Sequence, residues 1–265
     1  MIRIAHISDP HFGQEMPKVS QALTAELFRQ TPDLTVISGD LTQRAATAEF
    51  RRAKDFVKGL PGPVLVIPGN HDLPVYNPAE RLFSPWKKWR RHLGPDLEPR
   101  FETEDVLCLG ANTARAMGRH LDWSRGRISR DQLARISREF AAAHETKLCI
   151  LAAHHPFWLP KPYLHRHLID NSRLALEFFR ASGVDLILGG HIHLPYTRIT
   201  GGIVVCQAGT AVSSRVLPGR TNSFNLITGN DEALSIVQMD WQGKRFAPAA
   251  VRDVIRRQGE WRTFP

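Results

Sequence analysis

Short apolar runs rich in Val, Ile and Leu recur along the chain, and most of the early ones are followed by a helical stretch. The runs fall at 2–7, 33–38, 63–67, 106–110, 147–153 and 184–188, then at 196–200, 203–207, 224–228 and 233–239. Helical patterning covers 17–30, 45–59, 78–92, 129–143 and 172–182. Strand and helix alternating in this way predict βαβ units and largely parallel pairing for the first six strands. Asn171 or Ser172 is placed to cap the last helix, and Gly183 to end it. After residue 195 the helices stop, and Gly201-Gly202 between two strand-like runs fits a hairpin turn. The later strands therefore add antiparallel pairs to a mixed sheet or build a second one.

A chain of 265 residues, 42% of them hydrophobic, can bury one sizeable α/β core. Residues 1–240 are expected to form one domain. A cap-like insertion at about 73–104 has a basic, Trp-bearing centre, and a basic tail at 241–265 is expected to pack on the domain. No apolar run reaches the roughly 18 residues that a spanning helix needs. The chain opens directly on the strand-like Ile2-Arg3-Ile4-Ala5-His6-Ile7 rather than on a secretory signal, so the expected compartment is the cytoplasm. Cys108, Cys149 and Cys206 are odd in number, far apart and each inside an apolar run. They read as buried reduced thiols, not as a disulfide framework or a thiolate metal site.

The formal net charge is +9. Residues 81–100 carry six cations against two carboxylates, and residues 241–265 again six against two, so the rest of the chain is nearly neutral. A basic surface favours anionic partners: phosphates, nucleic acid or an anionic membrane surface. The segment Arg81 to His92, with Trp86 and Trp89, reads as a helix that packs its indoles on the domain or on a second copy of the chain in a homodimer. An interfacial segment on anionic lipid and a phosphate-binding cap are its functional alternatives.

Five polar clusters follow strand-like runs: Asp9-Pro10-His11, Gly39-Asp40, Gly69-Asn70-His71-Asp72, His154-His155-Pro156 and Gly189-Gly190-His191-Ile192-His193. Each alone is ordinary turn chemistry. Together they are not, because ligand sites of open α/β sheets lie beyond the carboxyl ends of the strands. Five strands would then deliver Asp, His and Asn to one rim. Imidazole, carboxylate and amide oxygen without thiolate suit divalent Mn, Fe, Zn or Co. A carboxylate shared by two such ions would hold them about 3.5–4 Å apart, the spacing of two-metal hydrolytic sites.

The ordered series D-x-H, G-D, G-N-H-D, H-x-P, G-H-x-H strongly resembles the calcineurin-like metallophosphoesterases over residues 4–193. It is most similar to their bacterial class III cyclic-nucleotide phosphodiesterase and glycerophosphodiesterase branch. The resemblance implies an α/β fold, a four-layer αββα sandwich of two mixed sheets flanked by helices. It also implies hydrolysis of a phosphodiester by a metal-bridging hydroxide. Carried over by position, Asp9, His11 and His193 hold one divalent ion, Asp40 bridges, and Asn70, His154 and His191 hold the second. His71 is then the catalytic imidazole that contacts the phosphate and serves the leaving group. The family's ligand precedes proline by two positions, which selects His154 and leaves His155 at the edge of the site as a substrate contact. Asn112, with Arg115 and His120, follows the 106–110 strand and is a second candidate for lining the pocket. His165 and His167 read as surface-loop residues, with a further metal site as the alternative.

Two departures from relatives narrow the reading. Ser/Thr protein phosphatases of this superfamily continue G-D as G-D-x-V-D-R-G, whereas this chain runs Gly39-Asp40-Leu41-Thr42-Gln43-Arg44-Ala45. The aspartate that orients the imidazole there is missing, and Asp72 is only adjacent to His71. The lipid A pyrophosphatase branch usually has arginine at the His71 position. The leading expectation is a metal-dependent phosphodiesterase on a small organic diester. Phospholipid head groups or nucleic acid are the alternative substrates, and a non-catalytic binding protein on the same scaffold is disfavoured by the intact ligand set.

Overall fold

The structure, a computed structural model, describes residues 1–117, 122 and 124–264. Strands β1 (Ile2–Ile7), β2 (Leu34–Ser38) and β3 (Val64–Ile67) pair in parallel, and β10 (Ser223–Gly229) joins β1 antiparallel. Beyond β10 run β11 (Ala233–Trp241), β12 (Phe246–Arg257) and β13 (Glu260–Thr263), giving one seven-stranded sheet ordered β13-β12-β11-β10-β1-β2-β3. The second sheet holds six strands. Its parallel centre is β5 (Val106–Ala111), β6 (Leu148–Ala153), β7 (Leu186–Gly189) and β9 (Ile203–Gln207), with β4 (Arg100–Glu102) and β8 (Tyr196–Thr200) antiparallel at the edges.

The sheets bury their facing sides against each other. Ile4, Val36 and Ile67 of the first meet Val106, Ile150, Leu188 and Val204 of the second in one cluster. Helices α1 (Pro17–Gln30) and α2 (Thr47–Lys58) cover the outer face of the first sheet through Leu23, Leu27 and Phe50. Helices α5 (Arg130–Ala143) and α6 (Ser172–Ala181) cover the second through Leu133, Phe140 and Phe179. The result is the four-layer αββα sandwich of two mixed sheets. Its start signals are local: Ser129 and Gln132 cap α5 reciprocally (3.1 and 2.9 Å). Asn171 sits at the N-cap of α6, but its side chain donates to Ile128 O instead. The cysteines are unpaired and buried, burial pushing each thiol up to about 12. Among the described residues, no helix is long and apolar enough to cross a membrane.

Two readings of the sequence change. The helix expected over 78–92 is two, α3 (Pro78–Phe83) and α4 (Lys87–His92). Pro85 between them lacks an N–H and disfavours helical geometry at Ser84. Trp89 of α4 is fully buried, edge-on to Phe50 of α2 and to Trp86. The basic C-terminal stretch is not a tail laid over the domain; it is β12 and β13, which extend the first sheet. A β12 that is mostly exposed and carries Arg252, Arg256 and Arg257 lacks the apolar density by which a buried strand is read.

Candidate metal centre

The five clusters converge where the two sheets meet. The backbone leaves each strand by turning sharply: Asp9, His11, Asp40, His191 and His193 all have left-handed φ, between 44° and 73°. Asp and His tolerate that region better than most side chains, but five such residues in one place is stored strain of the kind found at functional sites. Gly190 permits the closest approach, since a Cβ there would lie 1.9 Å from Ser8 Oγ and 2.3 Å from Asp9 Oδ2.

Each carboxylate spends one oxygen on backbone and turns the other inward. Asp9 Oδ2 accepts from His191 N (3.0 Å), while Asp9 Oδ1 faces His193 Nε2 (3.3 Å) and His11 Nε2 (3.6 Å). Asp40 Oδ1 accepts from His71 N (2.8 Å), while Asp40 Oδ2 faces His154 Nε2 (3.3 Å) and His11 Nε2 (3.8 Å). The rings are oriented in the same manner. His154 Nδ1 donates to Ser38 O (2.7 Å) and His193 Nδ1 to Arg215 O (2.8 Å), which turns both Nε2 atoms inward. His191 Nδ1 and Asn70 Oδ1 lie 3.0 Å apart, and His11 Nε2 and His193 Nε2 3.1 Å apart.

These donors fit divalent cations. Asp9 Oδ1 and His154 Nε2 are buried without a hydrogen-bond partner, a costly state for polar atoms unless something else satisfies them. Asp9, His11 and His193, and likewise Asp9, Asp40 and His154, place ligand atoms within 4.8 Å of one another. Ionisation favours the same role. Burial pushes the Asp9 and Asp40 carboxyls up, but the neighbouring imidazoles outweigh it and hold both well below the usual carboxylate range. Burial lowers His11, and burial with the His154 charge brings His191 to about 3, so both rings are neutral. His154 is the exception. Burial opposes its charge, yet the Asp40 and Asp9 carboxylates raise it to about 9. That proton sits where Asp40 pulls hardest on any cation, and a divalent ion would displace it.

Residues 2–195 match the calcineurin-like phosphoesterase family model. The chain belongs to that family. It is a phosphoric ester hydrolase. Curated relatives include a probable cyclic nucleotide phosphodiesterase of Coxiella burnetii, 26% identical over 74% of this chain and 77% of that one. The 3′,5′-cyclic adenosine monophosphate phosphodiesterase CpdA of Escherichia coli K12 is 25% identical over 72% and 70%. A probable glycerophosphodiester phosphodiesterase GpdQ of Arcobacter nitrofigilis is 26% identical over 68% of this chain and 64% of that one. Among solved structures, a dimetal phosphatase of Danio rerio shares the fold at TM-score 0.69 and 12% identity, over 96% of this chain and 98% of that one. So does purple acid phosphatase PPD1 of yellow lupin, at TM-score 0.65 and 13% identity, over 94% of this chain and 53% of that one.

In this phosphoesterase the residues around the cluster sort themselves by contact. His155 lies beside His191, ring centroids 4.7 Å apart, but both its nitrogens are engaged, Nδ1 with Thr113 Oγ1 (2.7 Å) and Nε2 with Ser124 O (2.9 Å). It braces the cluster, against Gly126, whose absent Cβ would meet the ring at 2.2 Å. Asn112 lies outside the group. Its Oδ1 caps Ala114 N (3.1 Å), and it lines a surface depression with Arg90, Glu98 and Gln132. Arg115 pairs with Asp170 (3.0 Å). His165 and His167 are exposed, His165 stacking on Tyr163. His120 lies outside the described residues.

The partner of His71 is the feature the sequence did not reveal. Its Nδ1 donates to Gln43 O (2.8 Å), and Arg215 Nη1 donates to its Nε2 (3.1 Å). Adjacent Asp72 points elsewhere. It accepts from Leu41 N, Thr42 N, Thr42 Oγ1 and Gly69 N at 2.8–3.2 Å, and so ties the Asp40 turn to the Asn70 turn. Burial and the Asp40 charge push its carboxyl up to about 7 against those donors.

Proposed function

We propose that this phosphoesterase hydrolyses a small phosphodiester at a two-metal centre, with Mn, Fe or Zn as the suited ions. The observation that carries the reading is the convergence of carboxylate oxygens and imidazole nitrogens from separate strand ends, with Asp9 Oδ1 and His154 Nε2 buried and unpartnered among them. Asp9, His11 and His193 would hold one ion and Asn70, His154 and His191 the other, with Asp40 between them. Bound there, the ions would neutralise charge on the phosphoryl oxygens and activate water for in-line attack. The chain's own residues do the rest. Ser38 O and Arg215 O fix the tautomers of His154 and His193. His191 N and His71 N each hold one oxygen of a carboxylate so that the other stays directed inward. His71, anchored through Nδ1 on Gln43 O, meets the phosphoryl group through the contact of its Nε2 with Arg215 Nη1.

The relatives named for cyclic nucleotide and glycerophosphodiester hydrolysis favour a diester over a monoester. The cations that motivate a nuclease or an anionic-surface reading, Lys87, Lys88 and Arg91, line a separate depression with Thr47, Asn77 and Glu80 that shares no residue with the cluster. The test is Asp40→Asn in Mn-reconstituted protein, assayed for metal content and for bis-p-nitrophenyl phosphate against p-nitrophenyl phosphate. The wild type is expected to hold two ions per chain and to prefer the diester. The variant should lose metal and most turnover with its circular dichroism unchanged. A folded variant with two ions and full turnover would overturn the reading, as would a wild type about tenfold faster on the monoester.

A further inference from the structure

Arg215 touches the cluster with both of its ends. Its carbonyl accepts from His193 Nδ1 (2.8 Å), and its guanidinium Nη1 donates to His71 Nε2 (3.1 Å) and to Gln43 Oε1 (3.2 Å). Because His71 Nδ1 is committed to Gln43 O, Nε2 carries the lone pair that receives the guanidinium. The residue is half-buried. Among the described residues, no carboxylate lies within salt-bridge distance of it, whereas Arg115 pairs with Asp170. A guanidinium in that position is unusual. It stands beside a cluster built to gather cations, and among the described residues it has no carboxylate of its own.

The loop that carries it is held firmly. Met16 N donates to Val212 O (2.8 Å) and Ser214 N to Gln14 O (2.9 Å), which clamps the loop to the segment after the Asp9 turn. Asn222 Nδ2 donates to Ser213 O (2.7 Å), and Thr210 Oγ1 meets Ser213 Oγ at 2.7 Å. The side chain is thus set by two acceptors, His71 and Gln43, and the loop around it by Gln14, Met16 and Asn222. Both side-chain contacts use Nη1. A guanidinium has five N–H donors in a planar fork, so its remaining edge keeps the capacity to take a phosphoryl oxygen. Arginine preorganised in this way loses little freedom when an oxyanion arrives.

We propose that Arg215 is the phosphate-binding cation of this site, donating to a non-bridging oxygen of the diester while His71 and Gln43 hold it in place. The proposal rests on the phosphodiester reading above. It adds the residue that grips the phosphoryl group independently of metal, and it makes His71 Nε2 the acceptor that aims the guanidinium.

The experiment compares wild type, Arg215→Gln and Arg215→Lys, each Mn-reconstituted. Metal content, inorganic phosphate affinity by calorimetry, and kcat and KM on bis-p-nitrophenyl phosphate are measured for each. Metal content should be the same in all three, because only the Arg215 carbonyl touches a ligand. Phosphate affinity should fall about 10- to 100-fold in Arg215→Gln, the scale of a lost charge-assisted hydrogen-bond pair, with Lys recovering part of it as a point charge. The loss on the diester should appear in kcat/KM. If the wild type binds phosphate through Arg215 but does not turn over the diester, the phosphodiester reading fails and this one stands. Unchanged phosphate affinity in Arg215→Gln overturns the proposal, as does a wild type that binds no phosphate. Loss of metal in both variants overturns it too, by reducing Arg215 to a support for His193.

Discussion

Replacing Asp185 by Ala should cost the fold about 3 kcal/mol, because this buried carboxylate fastens the C-terminal hairpin to the second sheet. Asp185 precedes β7 and is fully buried. Its Oδ2 accepts from Cys149 N of β6 (2.9 Å) and its Oδ1 from the Trp261 indole of β13 (3.0 Å), with Arg256 of β12 ion-paired to the same oxygen. Arg256 also lies over the Trp261 ring, 5.1 Å from its centroid. Both hydrogen bonds go to an ionised carboxylate and are lost together with its ion pair, so their costs overlap with that of the pair rather than adding to it. Breaking a fully buried ion pair costs roughly 3–5 kcal/mol. The Arg256 side chain is 27% exposed, so water recovers part of that and the total stays near the lower bound. At about 2–4 °C per kcal/mol for a chain of this size, the melting temperature should drop by roughly 6–12 °C. Asp185→Asn keeps an acceptor for Cys149 N and should lose about half as much. Guanidinium unfolding of Asp185→Ala, Arg256→Met and the double variant measures the coupling. A loss below about 1 kcal/mol, or strictly additive single effects, would refute the role of this carboxylate as a fastening point.

Acid should destabilise the protein partly through His6. Burial pushes this imidazole down to about 3 despite the Asp9 charge, and it sits between Ser38 Oγ (2.9 Å) and Asn225 Nδ2 (3.4 Å). The unfolded chain takes up the proton near pH 6.5 and the folded one only near pH 3. Stability is therefore complete above pH 6.5 and falls as pH drops, by on the order of 4–5 kcal/mol at the end of that window. Urea unfolding of wild type and His6→Gln at pH 7, 5.5 and 4.5 should show a shallower pH slope in the variant; parallel slopes would exclude His6 as a contributor. Gly190→Ala would drive a methyl into Ser8 Oγ and Asp9 Oδ2, and metal affinity should weaken about 10- to 100-fold. Unchanged metal titration of the folded variant would show that the Asp9 turn tolerates the displacement.

Much of the fold and of the candidate site is legible in residue order because the information is local. A strand that ends in Asp-x-His or Gly-His-x-His announces its ligand types within a few positions, and the two sheets follow from where apolar runs alternate with helices. What depends on meetings between distant segments is not legible in that way. His71 lacks the aspartate that would have named its partner, and the partner turns out to be Gln43 and Arg215, 28 and 144 residues away. Asn112 follows a strand as pocket residues do, yet Glu98 and Gln132 draw it into a turn of its own. The paired histidines 154 and 155 look interchangeable in sequence. They differ because Thr113 and Ser124 occupy both nitrogens of one, and Ser38 occupies only the outer nitrogen of the other.

By itself the sequence determined the α/β class, the strand ends that carry ligand-type side chains, the buried thiols and the membership of the phosphoesterase family, all properties of pattern and spacing. Only the tertiary structure decided that five of those residues adopt left-handed backbone, that each carboxylate keeps one oxygen inward, and that a basic C-terminal stretch becomes two sheet strands stapled at Asp185. The physical reason is the same in each case. A hydrogen bond or an ion pair is a property of two groups, and local sequence specifies a group long before it specifies what that group will face.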